Sequence, residues 1–413
     1  MLLGFIFLFM IIGIDASRAN RKLKTGTEWY SFFLIKNLAI IGTTNKYWLY
    51  LNTPPTPELA AVIKENPNFT FKYLKWPFSA FWTLGRLSLE MIWCRPDVLF
   101  VPAHTLPLFN PRKTINTIHD IAFVREQNLY FSEKVKAKNA FTRRLINFFV
   151  KLVTFGKYSS ESVDYLYWST AFALNHAEKI ITVSEFTKSE ILSLYPETKI
   201  EKISVVRNGY NNDLFRPIDD AQKIQSTLDK YGITKPFFLY VGRLEKKKNT
   251  PALVEALAIV RENNPEIKEK LVLIGNASFG FDEVKYAIEE FDLFSEIYIP
   301  GWVEEADLPY IYNAASAFIF PSKHEGFGIP VLESMACGLP TIASDLAVLK
   351  EIAADAVLYF DQNNKRSIAN AMVKIIEDKN LRQELRIKGL AQSQKFSWRK
   401  CAEETLQVIE KLQ

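Results

Sequence analysis

The sequence predicts a two-domain α/β protein in which each domain is built on a parallel sheet with helices on both faces. The chain has 413 residues, which is more than one hydrophobic core usually supports. Short apolar runs alternate with longer helical patterns, as they do in parallel α/β architectures. An Asn-Gly turn followed by polar residues at 208–212 lies near the middle of the chain. We therefore expect two similar halves facing each other across a deep cleft, with ligands beyond the carboxyl ends of the strands.

Apolar runs bounded by turn residues predict the strands of each half. In the first half these runs are Ile11–Ile14, Tyr47–Leu51, Val98–Val101, Lys113–Ile118, Lys179–Val183 and Ile203–Val206. In the second half they are Phe237–Val241, Lys270–Ile274, Glu296–Ile299, Ala317–Phe320, Pro340–Ile342 and Ala356–Tyr359. Helical patterns lie between them, for example at Thr250–Glu262 and Asp282–Phe291.

The turn at 208–212 places the predicted boundary between a first domain, residues 1–212, and a second domain, residues 213–395. Residues 396–413 are predicted to form a helix that crosses back to the first domain. Residues 1–9 are apolar but lack the charged start and the cleavage site of a signal peptide. We interpret them as an extension of the chain start or of the first strand, and a membrane-touching anchor is the alternative.

Composition limits the classes of protein that fit. A hydrophobic content of 48% and a charged content of 23% are typical of a globular chain. The net charge of +5 permits acidic ligands or an anionic membrane surface, and we predict no nucleic acid partner. The three cysteines, Cys94, Cys337 and Cys401, show neither metal-ligand spacing nor a disulfide framework. This cysteine usage favours a reducing, cytoplasmic location.

The segment 325–333, Glu-Gly-Phe-Gly-Ile-Pro-Val-Leu-Glu, is the most informative in the chain. An apolar run at 317–320 precedes it and a helical pattern follows at Val331–Ala336, so it predicts a strand, a tight loop and a helix start. Gly326 and Gly328 allow the backbone to approach a ligand closely, and Pro330 suits the first turn of a helix. The free N–H groups at that helix start predict an anion-binding site.

Two carboxylates flank this predicted anion site. Glu325 precedes the loop, and Glu333 is predicted to lie inside the first helical turn. The arrangement fits a ligand that has a diphosphate in the middle and hydroxyl groups at both ends. The alternative is that both residues are ordinary helix-start acids, which the helix dipole favours.

A basic segment follows the predicted strand Phe237–Val241. Arg243 comes after the strand-ending Gly242, and Lys248 is predicted at the start of the next helix. A diphosphate is bound well by a forked guanidinium and a compact ammonium from different elements. For the lysines the alternative is a solvated charge run at a helix start, but that alternative does not account for Arg243.

Two features of the first half are candidate site residues. His119 directly follows a predicted buried strand, so it is expected at the carboxyl end of the sheet, and a structural histidine is the alternative. Gly26 and Thr27 follow the first strand and precede a helix. They form a candidate loop for an anion or a sugar.

The same segments, in the same order, resemble glycosyltransferase family 4. The resemblance covers nearly the whole chain from about residue 10, and the stretch 321–344 is its most specific part. It implies a retaining enzyme of GT-B fold, with two Rossmann-like domains. The matching segments are GIDAS at 13–17, TG at 25–26, HD at 119–120, VSEFTKSEI at 183–191, VVRNGYNNDLF at 205–215, GRLEKKKN at 242–249, PGWVEEADLPYIYNAA at 300–315, PSKHEGFGIPVLESMACGLPTIAS at 321–344 and FSW at 396–398.

The resemblance implies that the second domain binds a nucleotide-sugar donor. Glu325 would hold hydroxyls of the donor sugar, and Glu333 would take the ribose hydroxyls. Arg243 and Lys248 would bind the diphosphate and neutralise its charge as it leaves. Backbone N–H groups of Gly326, Phe327 and Gly328 would help to hold the sugar. The backbone near Trp302 and Val303 would meet the base.

The resemblance also implies roles on the acceptor side. His119 would lie near the reacting side of the sugar, as a catalytic residue beside Glu325, Arg243 and Lys248. Gly26, together with its neighbour Thr27, would lie by the phosphates or the acceptor. No Asp-x-Asp motif is evident in the sequence, so we expect no obligatory metal and no cofactor besides the donor.

The implied activity is transfer of a hexose, with mannose as the best match, from a GDP- or UDP-linked donor. The implied acceptor is a glycan or a lipid-linked oligosaccharide of the cell envelope. The alternatives are a GT-B sugar-nucleotide epimerase or phosphorylase, or a catalytically idle nucleotide-sugar-binding protein. Glu325→Ala or Lys248→Ala is expected to abolish transfer with little effect on folding.

One stretch of the first domain is longer than the family pattern, and we interpret residues 141–164 as an insertion. Within 141–158, aromatic and aliphatic residues share one face of a predicted helix, and there are four basic residues and no acid. A basic amphipathic helix with aromatics fits an anionic membrane surface, here the inner face of the membrane. The alternative is a helix that packs on its own domain.

Overall fold

The computed structural model describes residues 9–42, 44–76, 81–125 and 162–412. Two compact units are present. The first contains the described residues up to Val124, those from Ser162 to Gly209, and Trp398 onwards; the second contains 210–397. The sequence placed these boundaries at 212 and 395.

The first unit consists of parallel strands with helices between them. Its strands are β1 Ile11–Asp15, β2 Lys46–Leu51, β3 Phe69–Tyr73, β4 Val98–Val101, β5 Thr114–Ile118, β6 Lys179–Thr182 and β7 Ile203–Val205. Its first helices are α1 Gly26–Ile41, α2 Pro57–Ile63, α3 Ser88–Trp93, α4 Ser162–His176 and α5 Glu185–Leu194, and a π-helix, Trp82–Leu87, runs directly into α3.

The second unit repeats this plan. Its strands are β8 Phe237–Val241, β9 Lys270–Ile274, β10 Ile297–Gly301, β11 Ala317–Phe320, β12 Thr341–Ser344 and β13 Leu358–Phe360. Its helices are α6 Ala221–Tyr231, α7 Thr250–Asn263, α8 Phe281–Glu290, α9 Leu308–Ala314, α10 Ile329–Ala336, α11 Ala347–Ala353, α12 Lys365–Glu377 and α13 Lys379–Ser393. A last helix, α14 Trp398–Glu410, belongs to the first unit.

The two sheets share one strand order. Among the described residues, the first unit has seven parallel strands in the order β3-β2-β1-β4-β5-β6-β7, and the second has six in the order β10-β9-β8-β11-β12-β13. In each sheet the order reverses beside the first strand, between β1 and β4 and between β8 and β11. Ligands of doubly wound sheets bind at such switch points, outside the carboxyl ends of the strands.

Burial explains which strands the sequence predicted. Every residue of β4 and of β5 is buried, because helices cover both faces of a parallel sheet, so these strands are continuous buried runs. Strand β3 was not predicted. It pairs only with β2 at the edge of the sheet, and its sequence Phe-Thr-Phe-Lys-Tyr is mostly half-exposed or exposed, so it has no apolar run.

Helix α14 packs against α1 within the first unit. The indole of Trp398 stacks on the ring of Phe33, with centroids 5.5 Å apart and an interplanar angle of 10°. The same indole lies 6.0 Å from the ring of Tyr30. Near the other end of α14, the Asn45 side-chain amide donates to Glu410 at 3.5 Å.

Two predictions concern residues that the structure does not describe. The amphipathic segment 141–158 lies outside the described residues, as does nearly all of the predicted insertion 141–164. Of the proposed extension 1–9, only Phe9 is described, and it is half exposed. None of the helices in the described ranges combines the length and the apolar character needed to span a bilayer.

Candidate functional site

A largely buried ion pair lies at the switch point of the second unit. Glu325, in the loop after β11, is 7% exposed, and its Oε1 accepts a hydrogen bond from Lys248 Nζ at 2.6 Å. Burial raises the pKa of the Glu325 carboxyl, but the ammonium groups of Lys248 and Lys247 outweigh it, and the pKa is lowered overall. The structure therefore brings together two of the predicted site residues, as a charged pair.

Backbone geometry positions Lys248 for this contact. Lys248 ends a 3-10 turn, Lys246–Lys248, and Asn249 follows in the left-handed region at φ 57°. The Asn249 side chain anchors the turn by donating to the Gln362 carbonyl at 2.8 Å. Lys248 thus precedes α7, which begins at Thr250, and does not start it as the sequence predicted. The tight turn, not a helix, directs its ammonium towards Glu325.

Arg243 follows β8 but points into a different environment. Its guanidinium lies 3.4 Å from the Glu245 carboxylate, and its side chain is 57% exposed. The buried Tyr240 hydroxyl donates to the Arg243 carbonyl at 2.9 Å. Burial raises the pKa of Tyr240 well above its usual value, and the Glu325 and Glu245 carboxylates raise it further. Tyr240 therefore lies among the charged groups that follow β8 and β11.

Gly242 and Gly275 allow the loops after β8 and β9 to pack closely together. The Gly242 N–H donates to the Ile274 carbonyl and the Gly275 N–H to the Gly301 carbonyl, both at 2.9 Å. Gly275 has φ +143°, and a Cβ placed on it would lie 1.9 Å from the Gly242 carbonyl oxygen. Only glycine fits there, so the backbone that presents Arg243 is held by its neighbours.

The glycine loop at 326–328 leads into helix α10, as the sequence predicted. The helix starts earlier than the sequence predicted, at Ile329 and not at Val331. Gly328 has φ +102° and is the residue before α10, where a Cβ would lie 2.8 Å from Leu349 Cδ2. The helix begins at Ile329, which places Glu333 beyond the first turn and corrects the sequence prediction. Phe327 is buried and meets Phe396 edge-on at 5.9 Å.

The pKa of Glu333 is shifted in the opposite direction to that of Glu325. Its Oε2 accepts a hydrogen bond from the buried Tyr312 hydroxyl at 3.2 Å. Burial and the nearby Glu305 carboxylate raise the pKa of Glu333 to about 8, against the opposing effect of the Tyr312 hydrogen bond. Sequence reasoning missed both partners, although each lies in the segment 300–315 that carried the family resemblance.

The loop after β10 contains the predicted base-contacting residues. Val303 is 3% exposed, whereas its neighbour Trp302 is 38% exposed. That the backbone here meets a nucleotide base stays a prediction. Within the residues that the structure describes, no group of three His, Cys, Asp or Glu side chains is arranged to hold a metal ion.

In the first unit, His119 follows β5 and packs closely. Its Nε2 lies 3.2 Å from the Pro102 carbonyl, and its ring meets Tyr30 edge-on at 4.7 Å. Burial, and then the neighbouring His104, lowers the pKa of His119 to about 4. The imidazole is therefore neutral near pH 7, and it can donate or accept a hydrogen bond but carries no charge.

Gly26 and Thr27 do not form a free loop. They are the first residues of α1, and a carboxylate of the chain already occupies this helix start. The Thr25 N–H and hydroxyl both donate to Glu28, which also pairs with Arg18 at 3.0 Å. This capping box satisfies donors that an external anion would otherwise use, so the anion-site interpretation is weakened here.

Comparison with solved structures defines the class of this fold. The sucrose-phosphate synthase of Thermosynechococcus elongatus aligns with a TM-score of 0.71 at 20% identity, covering 98% of this chain and 99% of that one. HepE of Anabaena, solved with UDP and glucose, aligns with a TM-score of 0.67 at 17% identity, covering 97% and 99%. Together with the two Rossmann-like sheets, these likenesses establish a two-domain α/β GT-B fold.

The sequence comparisons then show which glycosyltransferases the chain is similar to. Residues 224–392, which hold Arg243, Lys248, Glu325 and Glu333, match the family described as glycosyl transferases group 1. The O-antigen chain mannosyltransferase B of Escherichia coli is 27% identical over 385 residues, which is 92% of this chain and 95% of that protein. The second unit therefore matches the group 1 glycosyl transferases, and the sequence comparisons support a glycosyltransferase.

Proposed function

We propose that the chain is a retaining hexosyltransferase that moves mannose from a GDP- or UDP-linked donor to a glycan or lipid-linked oligosaccharide. The observation that carries this proposal is the largely buried Lys248–Glu325 pair, which lies beside the helix start at Gly328, at the β8/β11 switch point. The name of the E. coli relative supports mannose and a cell-envelope polysaccharide. The UDP and glucose bound to HepE support a nucleotide-sugar donor.

On donor binding, the sugar and the diphosphate would replace the hydrogen bond between Lys248 and Glu325. Sugar hydroxyls would donate to the Glu325 carboxylate, helped by backbone N–H groups of Gly326, Phe327 and Gly328. The freed ammonium of Lys248 and the exposed guanidinium of Arg243 would then bind the diphosphate. Both cations would stabilise the negative charge that develops on the leaving diphosphate.

The nucleotide would extend towards Glu333 and the loop after β10. The two ribose hydroxyls would donate to Glu333, and the backbone at Val303 would contact the base. A carboxylate accepts two such hydrogen bonds better than a carboxylic acid does, so ribose binding would lower the raised pKa of Glu333. Donor binding would therefore release a proton near pH 7.

We propose that transfer needs no divalent ion, because Lys248 and Arg243 can stabilise the charge of the leaving diphosphate. In a retaining reaction the acceptor hydroxyl would attack from the leaving-group side, and a phosphate oxygen would take its proton. His119 would orient the sugar by hydrogen bonding as a neutral imidazole, because its pKa of about 4 leaves it uncharged. Gly26 and Thr27 would lie on the acceptor side.

The test is an assay of the purified chain with a panel of UDP- and GDP-hexoses and a mannose-terminated glycan, in the presence of EDTA. We expect a glycosylated product with retained anomeric configuration. Glu325→Gln is expected to lower turnover by about 100-fold or more, as for the loss of one preorganised transition-state contact. Lys285→Met, at a surface pair in α8, is the control that should leave turnover unchanged.

Other outcomes would replace the proposal. Epimerised donor without any acceptor would indicate an epimerase, and sugar phosphate formed only with added phosphate would indicate a phosphorylase. Donor binding with neither transfer nor hydrolysis would indicate an idle binding protein. Turnover that EDTA abolishes and a divalent ion restores would refute metal independence.

A further inference from the structure

A cavity of about 190 Å³ lies at the β1/β4 switch point of the first unit. Asp15, the last residue of β1, and Val101, the last residue of β4, both line it. It is therefore placed where doubly wound sheets bind ligands. Its lining is rich in polar side chains, among them Asp15, Arg18, Arg21, Asn52, Thr83 and Thr105.

The Asp15 carboxylate has room for one more hydrogen bond. It is 4% exposed, and its Oδ1 accepts from Trp82 Nε1 and from the Ser17 N–H, both at 3.1 Å. Its Oδ2 accepts from the Thr83 hydroxyl at 3.2 Å. A carboxylate has about four acceptor positions, so these three protein donors leave one position for a hydroxyl donor in the cavity.

The charges around the cavity balance. Arg18 is paired with Glu28 at 3.0 Å, and the buried Asp15 carboxylate faces the same cavity as Arg21. Arg18 is thus neutralised by Glu28, which does not itself line the cavity, and the Asp15 carboxylate offsets the charge of Arg21. A site for phosphate or a carboxylate would instead carry an excess of positive charge, so the balance favours a neutral ligand with several hydroxyl groups.

One wall of the cavity is an unusual piece of backbone. Phe81 lines the cavity with φ +60°, in the left-handed region, and the π-helix Trp82–Leu87 follows it. Both features cost conformational energy and recur at functional sites. Trp76 fixes this wall, because its indole leaves no space for a Cβ on Gly85, with atoms 2.7 Å from that position. The wall presents aromatic surface to the cavity beside its hydroxyl and guanidinium groups.

The size of the cavity limits the ligand. Its volume of about 190 Å³ falls below the ~300 Å³ at which sites for drug-sized ligands begin. One sugar ring fits this space and an oligosaccharide does not. Pro102, which also lines the cavity, is the residue whose carbonyl lies 3.2 Å from His119 Nε2, so the cavity adjoins the predicted acceptor-side histidine.

We propose that this cavity binds one neutral pyranose ring of the acceptor glycan, with Asp15 and Asn52 bonding its hydroxyls and Arg21 donating to its oxygens. The proposal rests on the proposed function, since the nucleotide sugar is assigned to the second unit. The acceptor is then recognised through an uncharged sugar, not through a phosphate of its carrier.

The test uses the full chain in calorimetric titrations with methyl α-mannopyranoside, methyl α-glucopyranoside and inorganic phosphate, each with UDP or GDP also present. We expect at least one glycoside to bind and phosphate not to compete with it. The double variant Arg21→Gln/Asn52→Ala is expected to lose about tenfold or more in glycoside affinity, as for two hydrogen bonds. Lys22→Gln, an exposed cation next to Arg21 but outside the cavity, is the matched control and should bind normally.

The arms of this experiment separate the two proposals. Nucleotide binding without any glycoside binding overturns the acceptor site and leaves the proposed function standing. Phosphate that competes with the glycoside, or glycoside affinity that the double variant does not change, also overturns it. Glycoside binding without nucleotide binding refutes the proposed function alone. The double variant's nucleotide affinity, if equal to that of the wild type, shows that it is folded.

Discussion

Glu325 and Glu333 belong to one loop-and-helix segment, yet their carboxyl groups have opposite properties. Glu325 faces the ammonium groups of Lys248 and Lys247, and its pKa is lowered although it is buried. Burial raises the pKa of Glu333 to about 8, and the partner it faces, the Glu305 carboxylate, adds to this shift where a lysine would oppose it. The difference shows that the partner across the fold, not the residue type or its place in the motif, sets the protonation state of each acid.

The largest expected effect comes from removing the cation that stabilises Glu325. Lys248→Met leaves the carboxylate buried with only Lys247 nearby, and we expect the free energy of unfolding to fall by about 2–3 kcal/mol. Transfer should fall by about 100-fold or more. Urea unfolding and turnover measure the two effects. This expectation differs from the sequence-based one, which foresaw little effect on folding.

The double variant Lys248→Met/Glu325→Gln is the control for this prediction. Removing both charges should restore most of the lost stability, because no uncompensated charge stays buried, while transfer stays lost. A Lys248→Met protein as stable as the wild type would show that the pair contributes nothing to folding.

A smaller effect separates Glu333 from Glu325 through pH. The pKa of Glu333 is about 8 in the folded chain and about 4.5 ordinarily, so the folded state holds this proton more tightly than the unfolded state. This group's contribution to the free energy of unfolding therefore decreases as pH rises from about 4.5 to about 8. Glu333→Gln removes that decrease, and the variant's stability relative to wild type should rise across this range.

Chemical denaturation at a series of pH values measures this difference. Glu262→Gln, at an exposed acid of α7, should leave the pH dependence as it is in the wild type. Parallel curves for wild type and Glu333→Gln would show that Glu333 titrates normally and would remove the contrast with Glu325.

The smallest expected effects adjust the pKa of Glu333 in opposite directions. Glu305→Gln removes a repelling charge and should lower the pKa of Glu333, whereas Tyr312→Phe removes a hydrogen bond to the carboxylate and should raise it. Carbon NMR titration of the labelled carboxyl group measures both. Shifts of the same sign in the two variants would contradict this account.

The fold could be predicted from the sequence because its strands and loops depend on local residue patterns. Buried runs such as Phe237–Val241 gave strands with their observed bounds, and the GT-B fold is confirmed. The glycines and Pro330 gave the loop and helix start after β11. These features depend on a few residues that are neighbours in the sequence, so they can be predicted from the sequence alone.

The ion pairs and protonation states of the site could not be predicted from local sequence patterns. Lys248 and Glu325 are far apart in the chain, and their contact depends on the turn that ends at Asn249. The π-helix Trp82–Leu87 has no periodic signal of its own, so the cavity beside it was not foreseen. The sequence placed Glu333 in the first helical turn because the start of the helix depends on the positive φ of Gly328. That angle cannot be deduced from the presence of a glycine alone.

Helix α14 has a consequence for how the chain is made. Ribosomes synthesise proteins from the amino end, and domains commonly fold as they emerge. Here the ring of Phe33 finds its stacking partner, Trp398, only after the whole second unit has been translated. The nascent first unit must therefore wait with this face of α1 uncovered, and its folding is completed last although its synthesis began first.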